Sequence, residues 1–334
     1  MTSLPHSGIP IRFGVMGCSA FALRAMIPAF CQNPRTELVA IASRDEAKAA
    51  KAASVHGCNA IGGYNALLDI PGLDAVYIPL PTGLHEEWVH RALDAGKHVL
   101  IEKSLASDFT AASSMIEKAR GLGLLVVENF LFPRHTQYAW VQDQIAAGTI
   151  GDCRIFRATF TIPPLNADNF RYNSTLGGGA LLDTGAYMVK SALSFLGPNL
   201  RILASTLEVD PKRDIDVRGT ATFINDDGMI AQTAWGFDTS YQCSWEFIGS
   251  QGRILCSRAL TPPPDFEPPV RIESPNGNSD IHLPSDNHYL NQIDHFTRTL
   301  RNSEDISAEL DTCLLQARIL EAVKAAASVH QARS

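Results

Sequence analysis

Between Ile11 and Asn129 short apolar runs alternate with helix-like segments, and this alternation constrains the chain more than any other feature. Strands joined by crossover helices close into a parallel sheet with both faces covered, so each strand reads as a continuous apolar run. The runs at 11–16, 37–42, 75–78, 98–101 and 124–127 are the expected strands. Helical stretches lie between them, an alanine-rich one around 47–53 and another over 86–95 that Gly96 ends.

After Phe130 the pattern changes. An amphipathic segment near 135–147 leads into longer alternating strands at 154–161, 220–225, 229–235 and 243–248, and Asp226-Asp227-Gly228 is a hairpin turn between two of them. A long helix is expected over 178–196, and two more close the chain near 289–300 and 308–327. The proline-rich stretch 261–269 reads as a surface loop, since its prolines suit neither helix nor sheet interior. At 334 residues the chain can build two cores.

The first strand runs into Gly14-Val15-Met16-Gly17-Cys18-Ser19-Ala20-Phe21-Ala22, a glycine-led strand-to-helix turn where a pyrophosphate would meet a helix N-terminus. Gly17 permits the turn, Ser19 stands at the second glycine of the usual fingerprint, and Ala22 at the third. The second strand is followed by Ser43-Arg44-Asp45-Glu46. An NAD enzyme usually places an acid there against the ribose 2′-hydroxyl, whereas Ser43 and Arg44 suit a 2′-phosphate, so NADP(H) is the expected cofactor. Ser43-x-x-Glu46 also has the form of a capping box for the alanine-rich helix. The fold expected is therefore an α/β Rossmann domain (1–129) followed by an α+β domain (130–334) with a mostly antiparallel, open-faced sheet. The last helices belong to the second domain or pack back on the first.

Charge and cysteine usage narrow the partners. Lys plus Arg number 28 against 35 Asp plus Glu, and no basic block is dense enough to track a phosphate backbone, which argues against nucleic acid. Seven scattered cysteines contain no C-x-x-C pair, so neither a disulfide framework nor a metal site is expected, and a reducing cytoplasm is the expected setting. The chain contains no apolar run of membrane-spanning length, and its first residues lack the basic head and apolar run of a secretory signal.

The fourth strand ends in Glu102-Lys103-Ser104, and the second domain holds Gly177-Gly178-Gly179-Ala180-Leu181-Leu182-Asp183-Thr184-Gly185-Ala186-Tyr187. Together with Pro79-Leu80-Pro81-Thr82-Gly83-Leu84-His85, these segments resemble the Gfo/Idh/MocA oxidoreductases over nearly the whole chain. That family has Glu-Lys-Pro where this chain has Ser104 third, often with a cis bond before the proline. Tyr187 in place of the commoner histidine, with Cys18-Ser19-Ala20, resembles the dTDP-sugar 3-ketoreductases in particular. The resemblance implies NADP(H)-dependent hydride exchange with a sugar carbonyl. It assigns catalysis to Lys103 and Tyr187, and the cofactor to Gly17, Cys18, Ser19, Ala20, Phe21, Ser43, Arg44, Leu80, Pro81, Thr82, His85, Glu102 and Lys103.

Reduction of a ketone leaves an alkoxide that needs a proton, and a tyrosine can supply it when a nearby cation favours its phenolate. Lys103 is the candidate cation. Asp183, Tyr187 and Lys190 share one face at helical spacing, so Asp183 is expected to bind substrate hydroxyls or orient Lys103. Arg171 and Asn129 are candidates for the substrate cleft by position, Arg171 for a diphosphate. His85 either touches the cofactor or serves the helix that Thr82 would cap, and Glu102 either meets the cofactor ribose or pairs structurally with Lys103. The resemblance implies a sugar or nucleotide-linked sugar as substrate and a homo-oligomer (dimer or tetramer). Two other readings stand beside the ketoreductase: an NADP-dependent aldose, pyranose or diol dehydrogenase, and a cofactor-binding regulator without catalysis.

Overall fold

A computed structural model describes residues 8–332 and divides the chain into two compact units. One runs through Asn129 and includes Tyr289–Leu314; the other comprises Phe130–His288 and the chain from Leu315 onward.

The first unit is built on six parallel strands: β1 (Ile11–Met16), β2 (Thr36–Ser43), β3 (Asn59–Gly62), β4 (Ala75–Ile78), β5 (His98–Ile101) and β6 (Val126–Glu128). Their order is β3-β2-β1-β4-β5-β6, the doubly wound arrangement whose strand order reverses between β1 and β4. All residues of β4 and β5 are buried, as strands covered on both faces must be. Phe13 on β1 packs against Phe30 (4.6 Å between ring centres) and Phe296 (5.2 Å), and all three are fully buried. Truncating one such ring costs about 3–5 kcal/mol.

β3 has no counterpart in the apolar pattern, because Asn59-Ala60-Ile61-Gly62 is a short, largely exposed edge strand with one large apolar side chain. The alanine-rich helix, Glu46–His56, begins one residue after Asp45, whose side chain accepts the Lys48 N–H at 3.2 Å. The capping box expected on Ser43 and Glu46 is therefore not formed. Ser43 Oγ instead accepts from the Asp45 N–H at 3.1 Å, and Glu46 becomes the first helical residue, where its charge suits the helix dipole. Thr82 likewise does not cap with its side chain; it opens a 3₁₀ turn (Thr82–Leu84) that leads into the helix His85–Asp94.

The second unit carries nine strands: β7 (Cys153–Thr161), β8 (Arg201–Asp210), β9 (Ile215–Ile224), β10 (Ile230–Gly236), β11 (Gln242–Gly249), β12 (Arg253–Ser257), β13 (Pro269–Ser274), β14 (Gly277–His282) and β15 (Ala327–Gln331). They lie in the order β14-β13-β12-β11-β7-β10-β9-β8-β15, antiparallel except for the pairs β7/β10 and β8/β15. Burial alternates along β9 and β11, so one face is core and the other is not. Trp235, Trp245, Phe156, Phe223 and Phe247 form the core face, with Met188, Val189 and Ala192 of the helix Ala186–Leu196 in the same cluster. The other face carries a ladder of ion pairs from strand to strand: Arg157 to Glu246 (3.3 Å), Glu246 to Arg253 (3.0 Å), Arg253 to Glu273 (2.7 Å), and Arg271 to Glu273 (2.8 Å) and Asp280 (3.0 Å).

Three expectations shift here. Pro269 is the first residue of β13 rather than the end of a loop, a position where proline costs no ladder bond. The closing helix Ser303–Ala325 stops short, and Ala327–Gln331 forms an edge strand on β8. The helix expected from Gly178 starts at Leu181, is π-wound through Gly185, and becomes α-helical only from Ala186. Its π character is direct: the Gly185 N–H donates to Ala180 O, five residues back, at 2.8 Å.

Candidate active site

In the first unit the candidate residues cluster at the carboxyl ends of β1, β2, β4 and β5, the edge where doubly wound sheets bind ligands. Gly17 has φ +121°, a conformation side chains avoid, and a Cβ there would lie 3.1 Å from Leu80 Cδ2. That cradle leaves Cys18, Ser19, Ala20 and Phe21 accessible at the start of the helical segment Ala22–Met26, and fits a pyrophosphate. Ser19, the departure from the glycine fingerprint, acts locally, its Oγ accepting the Ala22 N–H at 3.1 Å. Cys18 sits against Ser43 and Lys48, and burial pushes its thiol pKa up.

Arg44 is exposed beside that turn and meets the hydroxyl of Tyr64. Burial pushes the Tyr64 phenol up, and the Arg44 guanidinium pulls it the other way. Tyr64 also stands edge-on to Trp88 at 5.0 Å. Sequence reading passed over it, because a tyrosine just after an exposed edge strand carries no motif.

Lys103 follows β5, and both its neighbours are anchored. Glu102 accepts hydrogen bonds from Tyr77 Oη and Asn129 Nδ2, each at 2.6 Å. Burial pushes the Glu102 pKa up, opposed by those two donors and by Lys103. On the other side the Lys103–Ser104 peptide is cis, and Glu128 Oε1 accepts the Leu105 N–H at 2.8 Å. Asn129, a candidate for the substrate cleft, is 1% exposed and serves as a partner of Glu102.

His85 is fully buried between the two loops. Its Nε2 lies 2.8 Å from Leu80 O, and its Nδ1 2.9 Å from Ser104 O and 3.2 Å from Leu105 O. A carbonyl only accepts, so the ring donates, to one side as a neutral tautomer and to both when protonated. Burial pushes its pKa down, with the Lys103 charge acting in the same direction. His85 thus ties the Leu80 loop to the segment after Lys103, with both ring nitrogens occupied by main chain. Its spacing from Thr82 was legible; this brace was not, since its partners lie 19 and 20 residues away.

In the second unit Tyr187 is 9% exposed and opens the helix Ala186–Leu196. Its ring meets Phe160 at 5.2 Å and Phe130 at 5.3 Å, both edge to face. Lys190, one turn on, places its ammonium 5.4 Å over the Phe130 ring. Asp183 is held by Arg171, whose Nε donates to Oδ2 at 2.5 Å and Nη2 to Oδ1 at 3.4 Å. Two of the three substrate-binding candidates are therefore partners, and the Arg171 guanidinium lies 4.8 Å over Phe170. Asp183 lies in the π-wound stretch Leu181–Gly185 and Tyr187 in the α-helix beyond it, so the continuous α-helical spacing expected between them is not what the chain adopts.

Among the described residues, no group of three or more His, Cys, Asp or Glu is arranged to hold a metal ion, and no helix is long and apolar enough to cross a membrane.

Residues 11–130 match the model of the GFO/IDH/MocA oxidoreductase family's NAD-binding Rossmann fold, and residues 138–255 match its C-terminal domain. The chain belongs to this oxidoreductase family. It is 41% identical over 327 residues, 95% of each chain, to the dTDP-3,4-didehydro-2,6-dideoxy-alpha-D-glucose 3-reductase of Streptomyces violaceoruber. It is 40% identical to the enzyme of the same name from Actinomadura kijaniata, over 97% of each chain. The 3-ketoreductase KijD10 of A. kijaniata, solved with NADP and TDP-benzene, superposes with a TM-score of 0.93 at 39% identity, covering 97% of this chain and all of that one. Variants of that ketoreductase with a tyrosine changed to phenylalanine, and with a lysine changed to alanine or glutamate, superpose at 0.93, 0.90 and 0.90.

Proposed function

We propose that this protein uses NADPH to reduce the 3-keto group of a dTDP-linked 2,6-dideoxysugar. The observation that carries this reading is identity of about two residues in five with 3-reductases of that substrate along essentially the full length of both chains. NADP is the cofactor because Ser43 and Arg44 stand where an acid would select NAD, with Tyr64 behind Arg44. When bound, NADPH supplies the hydride that the carbonyl carbon accepts.

The oxygen of that carbonyl becomes an alkoxide, and Tyr187 donates the phenolic proton to it. A cation lowers the cost of the phenolate left behind, and we assign that role to Lys103. Glu102, His85 and Glu128 hold the main chain on either side of Lys103. Asp183, oriented by Arg171, takes the sugar hydroxyls. The same two residue types, tyrosine and lysine, are the ones substituted in the KijD10 variants. The homo-oligomeric state and a cytoplasmic setting belong to the same proposal, the former checked by light scattering of the purified protein.

NADPH oxidation measured with dTDP-3,4-didehydro-2,6-dideoxy-D-glucose, alongside NADP reduction with free aldoses and diols, tests the reading. Turnover of the nucleotide sugar alone is expected. Turnover only of free sugars converts the protein into a dehydrogenase, and binding of NADPH without turnover of any of them makes it a regulator.

A further inference from the structure

The helix that carries Tyr187 begins at a break in regular structure, and its first N–H groups have no helical carbonyl to bind. Two of them are met by one residue of β9. The Ala180 N–H donates to Asp216 O at 2.8 Å, and the Leu181 N–H donates to Asp216 Oδ2 at 2.6 Å. A side chain on Gly179, where φ is +115°, would strike Asp216 Oδ1, so the chain passes directly over the carboxylate.

A bulge aims Asp216 there. Glu208 on β8 faces Arg218, but the next residue, Val209, faces Asp216, so Val217 is an extra residue in β9. Regular alternation would put residues 216 and 219 on opposite faces, yet both meet Trp235. The Trp235 ring in turn lies under Gly185, where a Cβ would sit 3.1 Å from it. The π-wound turn Leu181–Gly185 is thus held at one end by Asp216 and at the other by Trp235. Lys324 is the charged group facing the carboxylate from the closing helix.

We infer that Asp216 is the positioning residue of the active site, fixing the start of the π-wound turn so that Tyr187, two residues beyond it, presents its phenol at a set depth and angle. It touches neither substrate nor cofactor; it acts through the helix. The inference rests on the ketoreductase reading for its kinetic consequence, but its structural half does not. Burial pushes the Asp216 pKa up to about 6 against the Leu181 N–H, Trp235 and Lys324, so the fold holds this carboxyl in place at a desolvation cost.

Three variants of the full-length protein test it. Asp216→Asn keeps an acceptor for Leu181, Asp216→Ala removes it, and Asp216→Leu removes it while filling the space. Hydrogen exchange is read over residues 180–185 and over 188–196, together with NADPH affinity, kcat and the KM for the nucleotide sugar. Expected for the alanine and leucine proteins are faster exchange confined to 180–185, unchanged NADPH affinity, and kcat lower by about 10- to 100-fold, the penalty of a reacting group displaced by an ångström. The asparagine protein should regain both protection and most of kcat. Unchanged protection at 180–185 in both the alanine and leucine proteins overturns the tether, whatever the substrate. Lost protection with wild-type kcat overturns the positioning role. If one apolar variant does not fold, the other is read against asparagine. A wild-type protein that turns over no keto-sugar nucleotide overturns the functional reading instead, and leaves the exchange result to judge Asp216.

Discussion

The two units hold their candidate site residues by different means. In the first, the residues sit on loops after parallel strands, and buried side chains bind the loop main chain directly: His85 to Leu80, Ser104 and Leu105, and Glu128 to Leu105. In the second, the residues ride on one helix, and what is fixed is the helix start, by Asp216 and Trp235. A parallel sheet presents all its strand ends on one edge, so chemistry can be divided among several loops. A sheet with one open face offers a single covered side, so chemistry must ride on what covers it. The units also differ in their buried titratable groups. His98 in the first accepts the Leu125 N–H on Nδ1 at 3.0 Å and is pushed down to about 4, whereas Asp216 in the second is pushed up to about 6.

The sharpest break of the comparison removes one residue from each unit. Tyr187→Phe and Lys103→Ala should each lower kcat by about 10²–10⁴-fold with NADPH affinity retained in the phenylalanine protein. If both serve one proton transfer, the double variant loses little more than the worse single one, and full additivity in steady-state kinetics would separate their roles.

Next in size is the response to acid. A neutral imidazole is required at His98, so its contribution to stability is present above the unfolded value near 6.5 and is lost as pH falls from there towards about 4. The loss is on the order of 3 kcal/mol. For Asp216 the sign is reversed: its raised pKa favours the fold below the unfolded value near 3.8, and that contribution is lost as pH rises through about 6. Denaturant titrations between pH 4 and 7 should show the slope at low pH flatten in His98→Asn, which keeps an acceptor for Leu125. An unchanged slope would place the acid response elsewhere.

A smaller effect separates cofactor selection from chemistry. Arg44→Ala should raise the KM for NADPH by about 10- to 100-fold, the value of a charged hydrogen bond, and leave that for NADH nearly unchanged. Equal changes with both cofactors would remove the 2′-phosphate from its role. The smallest effect belongs to the open sheet face, where Glu273 is half-buried and Arg253 and Arg271 hold its carboxyl down at about 2. Glu273→Gln should scarcely move Tm, and any shift should vanish in high salt.

Much of this was legible beforehand, and for physical reasons. The strands β1, β4 and β5 read correctly to the residue because buried parallel strands are apolar runs, while the short exposed edges β3 and β15 carry no such mark. Gly17 and Arg44 became candidates because they follow β1 and β2 in contiguous strand-to-helix segments, whereas Lys103 and Tyr187 became candidates through the family resemblance of the segments that hold them. Tyr64, His85 in its bracing role and Asp216 did not show, because each acts on a partner distant in sequence.

The amino-acid order by itself determined where the buried parallel strands run, the family to which the chain belongs, and the class of cofactor its first domain takes. Tertiary structure alone decided that Ser43 leaves the cap to Asp45, that Arg171 and Asp183 pair, and that the Tyr187 helix starts with a π turn. Local preferences depend on neighbours a few residues apart, which order specifies. A carboxylate 35 residues from the N–H it receives is placed by sheet register and one bulge, and these exist only once the sheet has formed.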